Sequence, residues 1–164
     1  MTHIATGDLF RRHLGEGTEL GKLAKKYMNK GNLVPDSVVI GMVEDKIKET
    51  VDTHGFIFDG FPRTVAQAEA LDKLMDKLGD SINGMVALNV PEKELRKRIK
   101  TRALTSGRVD DQDDDKISNR IKVYQDETLP VATYFDGQGK LHEVKGIGSI
   151  DKIFKSLTKV IDLL

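Results

Sequence analysis

Residues 55–64 read Gly55-Phe56-Ile57-Phe58-Asp59-Gly60-Phe61-Pro62-Arg63-Thr64, with Gln67 three residues past the threonine. A short apolar run that stops at an aspartate is the pattern of a buried strand with polar residues at its exit. Gly60 lets a backbone approach closely, and Pro62 stiffens the loop that carries Arg63. The planar fork of an arginine there suits two-point contact with a phosphate. A second reading needs no ligand, because Thr64-x-x-Gln67 is itself a capping box for the helix that follows. The box would account for Gln67 alone, so Gln67 by itself decides nothing.

Outward from this stretch, amphipathic helices alternate with short apolar strands. Leu20, Leu23, Ala24 and Met28 share one helical face, as do Val39, Met42, Val43 and Ile47 after the start at Pro35-Asp36-Ser37. Leu71, Leu74, Met75 and Leu78 mark the helix after the quoted loop, and Gly84-Met85-Val86-Ala87-Leu88-Asn89-Val90 reads as another buried strand. Pro91 opens a helix holding Leu95 and Ile99. Two later helices are marked by Ile117, Ile121 and Tyr124, and by Ile150, Ile153, Phe154, Leu157 and Ile161. Such alternation predicts an α/β fold, a parallel sheet flanked by helices. In sheets of this kind ligands bind beyond the carboxyl ends of the strands, where Asp59–Arg63 lies.

The bulk properties narrow the field. The 164 residues fit a single domain, 1–164, with no internal repeat or Pro/Ser-rich linker. Lys+Arg and Asp+Glu are balanced at 26 each, so no overall field favours nucleic acid or membrane as a partner. With no cysteine there is no disulfide, cysteine-ligated zinc or thiol catalysis, which fits a reducing compartment. No apolar run approaches the roughly 20 residues needed to span a bilayer. The expectation is a soluble cytoplasmic protein.

Four more stretches bear on chemistry, each with a bland reading beside it. Ala5-Thr6-Gly7-Asp8-Leu9-Phe10-Arg11 follows the short apolar start His3-Ile4. It is either an anion site at a helix N-terminus or a turn capping a helix with Arg11 solvated. Arg98 and Arg102 lie four apart on one helical face, and Arg108 and Arg120 bracket the acidic run Val109-Asp110-Asp111-Gln112-Asp113-Asp114-Asp115. These are either surface ion pairs of little value or the components phosphoryl transfer needs: arginines for spreading charge and carboxylates (Asp59, Asp110, Asp111) for a magnesium ion. Gly31-Asn32-Leu33-Val34-Pro35 walls an apolar slot for a base or is a helix stop and restart. Gly146-Ile147-Gly148-Ser149 meets a nucleotide base or is an ordinary strand-to-helix connection.

Taken in order, these stretches resemble the adenylate kinase family in its short-lid form, from residue 3 to the C-terminus. The resemblance is carried by Thr6-Gly7-Asp8-Leu9-Phe10-Arg11, Leu33-Val34-Pro35-Asp36, Phe56-Ile57-Phe58-Asp59-Gly60-Phe61-Pro62-Arg63-Thr64, Gly107-Arg108-Val109-Asp110-Asp111 and Gly146-Ile147-Gly148-Ser149. It implies a P-loop NTPase-like parallel sheet with a helical AMP-binding insert over 5–34 and a short lid over 103–119. It also implies magnesium-dependent transfer of the γ-phosphoryl of ATP to AMP, giving two ADP, in adenine nucleotide homeostasis.

By the same resemblance Thr6 would contact the AMP base and Arg11 its phosphate, while Asn32, Leu33 and Val34 would line the adenine and ribose slot through their backbone. Gly60, Phe61, Pro62 and Arg63 would hold AMP, with Arg63 on the phosphate and Gln67 on the adenine edge. Arg98 and Arg102 would face the ATP phosphates, and Gly148 the ATP adenine. Arg108 and Arg120 would close over AMP and the transferring phosphates, positioned by Asp110 and Asp111. Asp59 would orient magnesium through water.

Two departures accompany the resemblance. The Arg108–Arg120 spacing is one residue longer than in the commonest short lids, and the missing cysteines exclude a zinc-bearing long lid. The family's opening strand and Gly-rich phosphate loop have no counterpart, since no G-x-x-x-x-G-K occurs in the chain. That strand is the central one of the family's sheet, and without it two rows of backbone polar groups lose their partners. The expectation is therefore a fragment, a shortened gene model, or half of an assembly in which another chain completes the sheet. The full-length form is expected to be a monomer, and this chain alone to show little turnover. The rival readings are a non-catalytic AMP-binding module and a kinase of another nucleoside monophosphate, the latter disfavoured by Thr6 and Gln67.

Overall fold

The structure is a computed structural model that describes residues 1–30, 32–51, 53–106 and 113–164. The side chain of Leu20 also lies outside the described set. Strand β1 (Thr2–Ala5) leads directly into helix α1 (Thr6–Gly15), followed by α2 (Glu19–Met28) and α3 (Asp36–Glu49). Strand β2 (Phe56–Asp59) then feeds the Gly60–Thr64 loop and helix α4 (Val65–Lys77). The second half repeats this plan: β3 (Met85–Asn89), α5 (Glu92–Ser106), α6 (Asp114–Val123), a five-residue π-helical turn at Tyr124–Thr128, α7 (Leu129–Asp136), β4 (Leu141–Lys145) and α8 (Ile150–Ile161).

Both strand pairs are parallel, as helical crossovers require. β1 pairs with β2 from Thr2↔Phe56 to Ala5↔Asp59, and β3 with β4 from Met85↔Leu141 to Asn89↔Lys145. Among the described residues these are two separate two-stranded sheets. The expected α/β parallel arrangement is present, in two separate strand pairs.

Packing follows the helical faces read from the sequence where two layers meet. Val39, Met42, Val43 and Ile47 of α3 and Leu71, Leu74 and Met75 of α4 are buried in one cluster with Ile4, Phe10 and Phe61. A second cluster, Ala68 of α4 with Val131 and Phe135 of α7, ties the two halves together. The same seam carries polar contacts: Asp72 Oδ2 accepts from the Tyr134 hydroxyl at 2.7 Å and from Gln138 Nε2 at 3.0 Å. A third cluster, Ile99 with Ile117 and Ile121, joins α5 to α6.

One expectation about burial needs correction. The stretches read as buried strands are only half covered: Ile57 and Leu88 are exposed, and no residue of β3 is buried. Each described strand has one hydrogen-bonded neighbour, so each sheet leaves open edges that a fully buried strand would not have. The apolar face of α8 is only partly covered: Ile153, Leu157 and Ile161 are half-buried, while Ile150 is 86 % and Phe154 66 % exposed. Leu23 and Leu78 are likewise exposed, while Ala24 on the face of Leu23 is fully buried.

Candidate functional site

The β1–β2 register sets Ala5 opposite Asp59, so both strands release their chains side by side. On one side α1 begins at Thr6; on the other Gly60 turns the chain with φ +67°, a conformation that favours glycine. The Thr6 hydroxyl, 3 % exposed, donates to the Gly60 carbonyl at 3.0 Å and locks the two exits together. Arg63 Nε donates to the same carbonyl at 2.7 Å. Phe61 anchors the loop in the core, its peptide bond to Pro62 is cis, and Thr128 Oγ1 donates to the Arg63 carbonyl at 2.9 Å.

Each of two arginines at this end of the sheet rests against a glycine. A Cβ at Gly60 would meet Arg63 Nη2 at 2.9 Å, and one at Gly7 would meet Arg11 Nη1 at 3.2 Å. The absent side chains at 7 and 60 are therefore what let the guanidinium groups lie close to the backbone. Arg11 also pairs with Asp8, within the same helix.

Gln67 resolves the ambiguity of the capping box. Its N–H donates to Thr64 Oγ1 at 3.1 Å, so the threonine half of the box forms. Its side chain does not return to the Thr64 N–H. Instead Gln67 Oε1 accepts from the Arg63 N–H at 2.8 Å, and Nε2 donates to Asp36 Oδ1 at 2.7 Å. Asp36 Oδ2 accepts from the Thr64 hydroxyl at 3.2 Å.

The remaining predicted residues are spread around this cluster. Leu33 and Val34 precede α3, with Val34 buried in the main core. Asn32 meets the other half of the molecule: Asn119 Nδ2 on α6 donates to Asn32 Oδ1 at 3.0 Å and to the Lys30 carbonyl at 2.8 Å. Arg98 lies on α5 with its Nε donating to Glu94 at 2.8 Å, and Arg102 follows one turn later. Arg96 to Ser118 and Lys100 to Asp114 tie α5 to α6, which carries Arg120 in its last turn. Gly148, φ +123°, sits in the β4–α8 connection on the other sheet, just before the Ser149 cap. Asp59 ends β2 with its Oδ2 3.3 Å from His3 Nε2. Gly31, Gly107, Arg108, Val109, Asp110, Asp111 and Gln112 lie outside the described residues. A cavity of about 270 Å³ beside β1, lined by His3, Asp8, Arg12 and Lys46 among others, includes none of the Gly60–Gln67 residues.

The sequence profile of the family described as Adenylate kinase matches residues 1–140. Adenylate kinase of Flavobacterium psychrophilum is 46 % identical over 164 residues, spanning 100 % of this chain and 86 % of that protein. The chain belongs to the adenylate kinase family. Adenylate kinase of Flavobacterium johnsoniae is also 46 % identical with the same coverage, and that of Syntrophobacter fumaroxidans is 42 % identical over 184 residues, covering 96 % of this chain and 86 % of its own length.

Three residues of this adenylate kinase family member escaped the sequence reading. Asp36 stands at a helix start and within Leu33-Val34-Pro35-Asp36 but with no role assigned to it, Asn119 has no motif of its own, and Thr128 sits in the π-helical turn. All three act through partners 28 to 89 residues away, which no local pattern encodes. Among the described residues no helix is long and apolar enough to cross a membrane.

Proposed function

We propose that the chain binds AMP at the cluster of Thr6, Gly60, Arg63 and Gln67 and serves reversible phosphoryl transfer from ATP to AMP, giving two ADP. One observation carries this: two glycine-backed arginines and a buried, doubly held amide stand together beyond the carboxyl ends of adjacent parallel strands. The names of the relatives support the same chemistry.

In this reading Arg63 and Arg11 take the AMP phosphate, and Gln67 meets the adenine edge beside Thr6, Gly60, Phe61 and Pro62. The backbone of Asn32, Leu33 and Val34 walls the base and ribose. Arg98 and Arg102 face the ATP phosphates, Gly148 the ATP adenine, and Arg108 and Arg120 close over the transferring group with Asp110 and Asp111 as their partners. Preorganised arginines stabilise the charge that spreads over the phosphoryl oxygens in the transition state. Segments 5–34 and 103–119 act as AMP insert and lid; the bond from Asn119 to Asn32 fits α6 lying near the insert.

Magnesium fits the donor set as a water-mediated ion. Among the described residues there is no cluster of three or more acidic or histidine ligands. Magnesium characteristically keeps several waters and uses one or two carboxylates with substrate phosphates. Asp59, largely exposed at the strand exit, would hold it through water. The ion would neutralise phosphate charge.

Calorimetric titration of AMP into the chain tests the reading, with Arg63→Ala as the key variant. A charged hydrogen bond of about 1.5–3 kcal/mol predicts roughly 10–150-fold weaker AMP binding with an unchanged circular dichroism spectrum. Absence of AMP binding by the native chain, or native affinity in Arg63→Ala, refutes the proposal. An unfolded Arg63→Ala would assign the arginine to structure instead.

A further inference from the structure

Gln67 is 2 % exposed and both ends of its amide are committed. Oε1 takes the Arg63 N–H, and Nε2 gives to the Asp36 carboxylate at 2.7 Å. Asp36 is held in turn by the Thr64 hydroxyl and by its place at the start of α3, whose apolar face is buried. Turning the amide over would set Nε2 against an N–H and Oε1 against a carboxylate. Both contacts would be repulsive, so one orientation survives. In that orientation each end keeps one further capacity, a second hydrogen on Nε2 and a second lone pair on Oε1.

We propose that Asp36 is a positioning residue for base selection: by holding Gln67 Nε2, it fixes an acceptor–donor pair that takes a 6-aminopurine and rejects its 6-oxo counterpart. The proposal rests on the reading of Gln67 as the contact to the purine edge. A 6-amino group donates to Oε1 while the adjacent ring nitrogen accepts from Nε2. A 6-oxo group in the same place sets oxygen against oxygen. An amide free to turn would serve either base, so selection depends on what prevents the turn. Of the two anchors, the carboxylate makes the charge-assisted bond and is the stronger.

The test compares AMP with IMP, which differ at this position, by calorimetric titration of the native chain, Asp36→Ala, Asp36→Asn and Gln67→Leu, with thermal melts of each. The native chain is expected to prefer AMP by about tenfold or more, since a site built to hydrogen-bond one group rejects its mismatch. Asp36→Ala should shrink that ratio by about fivefold or more. Asp36→Asn, whose Oδ1 still accepts from Nε2, should keep it within about twofold. Should Asp36→Ala not fold, Asp36→Glu is read the same way, because it keeps a carboxylate at the helix start but displaces it by one methylene. A lowered melting temperature with an unchanged ratio assigns Asp36 to the helix start alone and overturns the proposal. If Gln67→Leu still abolishes the preference in that case, the reading of Gln67 stands by itself. A native chain without preference, or a Gln67→Leu variant that retains it, removes both.

Discussion

Replacing Gly60 by alanine puts a methyl group into space the Arg63 guanidinium now fills. Two effects follow, and they can be separated. An L-residue at φ +67° carries left-handed strain of about 1–2 kcal/mol. The new Cβ would also stand 2.9 Å from Arg63 Nη2 and 3.7 Å from Cζ and Nε. The guanidinium is the far end of a flexible side chain, so it yields, losing its bond to the Gly60 carbonyl at a further cost of about 0.5–1.5 kcal/mol. At about 2–4 °C per kcal/mol for a domain of this size, the melting temperature should fall by roughly 3–14 °C. Displacement of the arginine should weaken AMP binding by at least about tenfold, the low end of what a charged hydrogen bond contributes. Gly79→Ala is the control, because Gly79 has φ +72° with nothing within 4 Å of an added Cβ. It carries the same backbone strain without the clash, and its AMP affinity should stay native. Calorimetry and melting of the two variants decide the matter. Equal AMP affinity in both would refute the argument that the empty space at residue 60 places Arg63.

Thr6→Val keeps the shape of a buried side chain and removes the hydroxyl that joins the two strand exits; it should lower stability by about 1 kcal/mol, read as a melting shift of about 3 °C. Asn119→Ala removes both bonds from α6 to residues 30 and 32, and the Asn32 amide should then exchange about fivefold faster in a hydrogen-exchange experiment. Tyr134→Phe tests the seam between the halves. Its hydrogen bond to Asp72, then desolvation and the nearby negative charge, raise the Tyr134 pKa. A pKa raised by folding means that the protonated hydroxyl stabilises the fold fully below its unfolded value near 10 and stops doing so as pH rises through the folded value. Denaturant titrations should therefore find Tyr134→Phe about 1 kcal/mol less stable than the native chain at pH 7, with the gap closing above pH ~10. A gap that is constant with pH would show that the hydroxyl proton is not what joins α4 to α7.

What was legible in the sequence depended on whether a pattern and its partner were both local. Val39, Met42, Val43 and Ile47 announce α3 because a helix needs only its own periodicity and one layer to pack on. The strand positions were equally plain, but their burial was not, since covering a strand requires neighbours that the strand does not name. α7 was missed although Val131 and Phe135 lie four apart, because the preceding π-helical turn breaks the register that leads into it. β4 offers only Leu141 and Val144 as apolar signals, too few for an alternation. In the candidate site, Thr6, Gly60, Arg63 and Gln67 are legible from motifs that assign each a role, whereas Asp36 lies at a helix start and within Leu33-Val34-Pro35-Asp36, neither of which points to its bond with Gln67.

The two readings of Thr64-x-x-Gln67 are compatible, because the capping box is incomplete. A complete capping box would tie the glutamine oxygen to the N–H of Thr64. Here the threonine hydroxyl alone caps α4, and it also donates to Asp36. That releases the Gln67 amide to reach one residue further back, to Arg63, and across to α3. The Arg63 N–H belongs to the residue whose guanidinium is backed by Gly60, so the amide and the cation are fixed relative to each other by a single peptide unit. A loop built this way loses little conformational freedom when a ligand arrives, because its polar groups are already ordered by one another. If Gln67 and Arg63 are the contacts to base and phosphate proposed above, their separation is set by the backbone from 60 to 67, and a substitution that shifts either should disturb both.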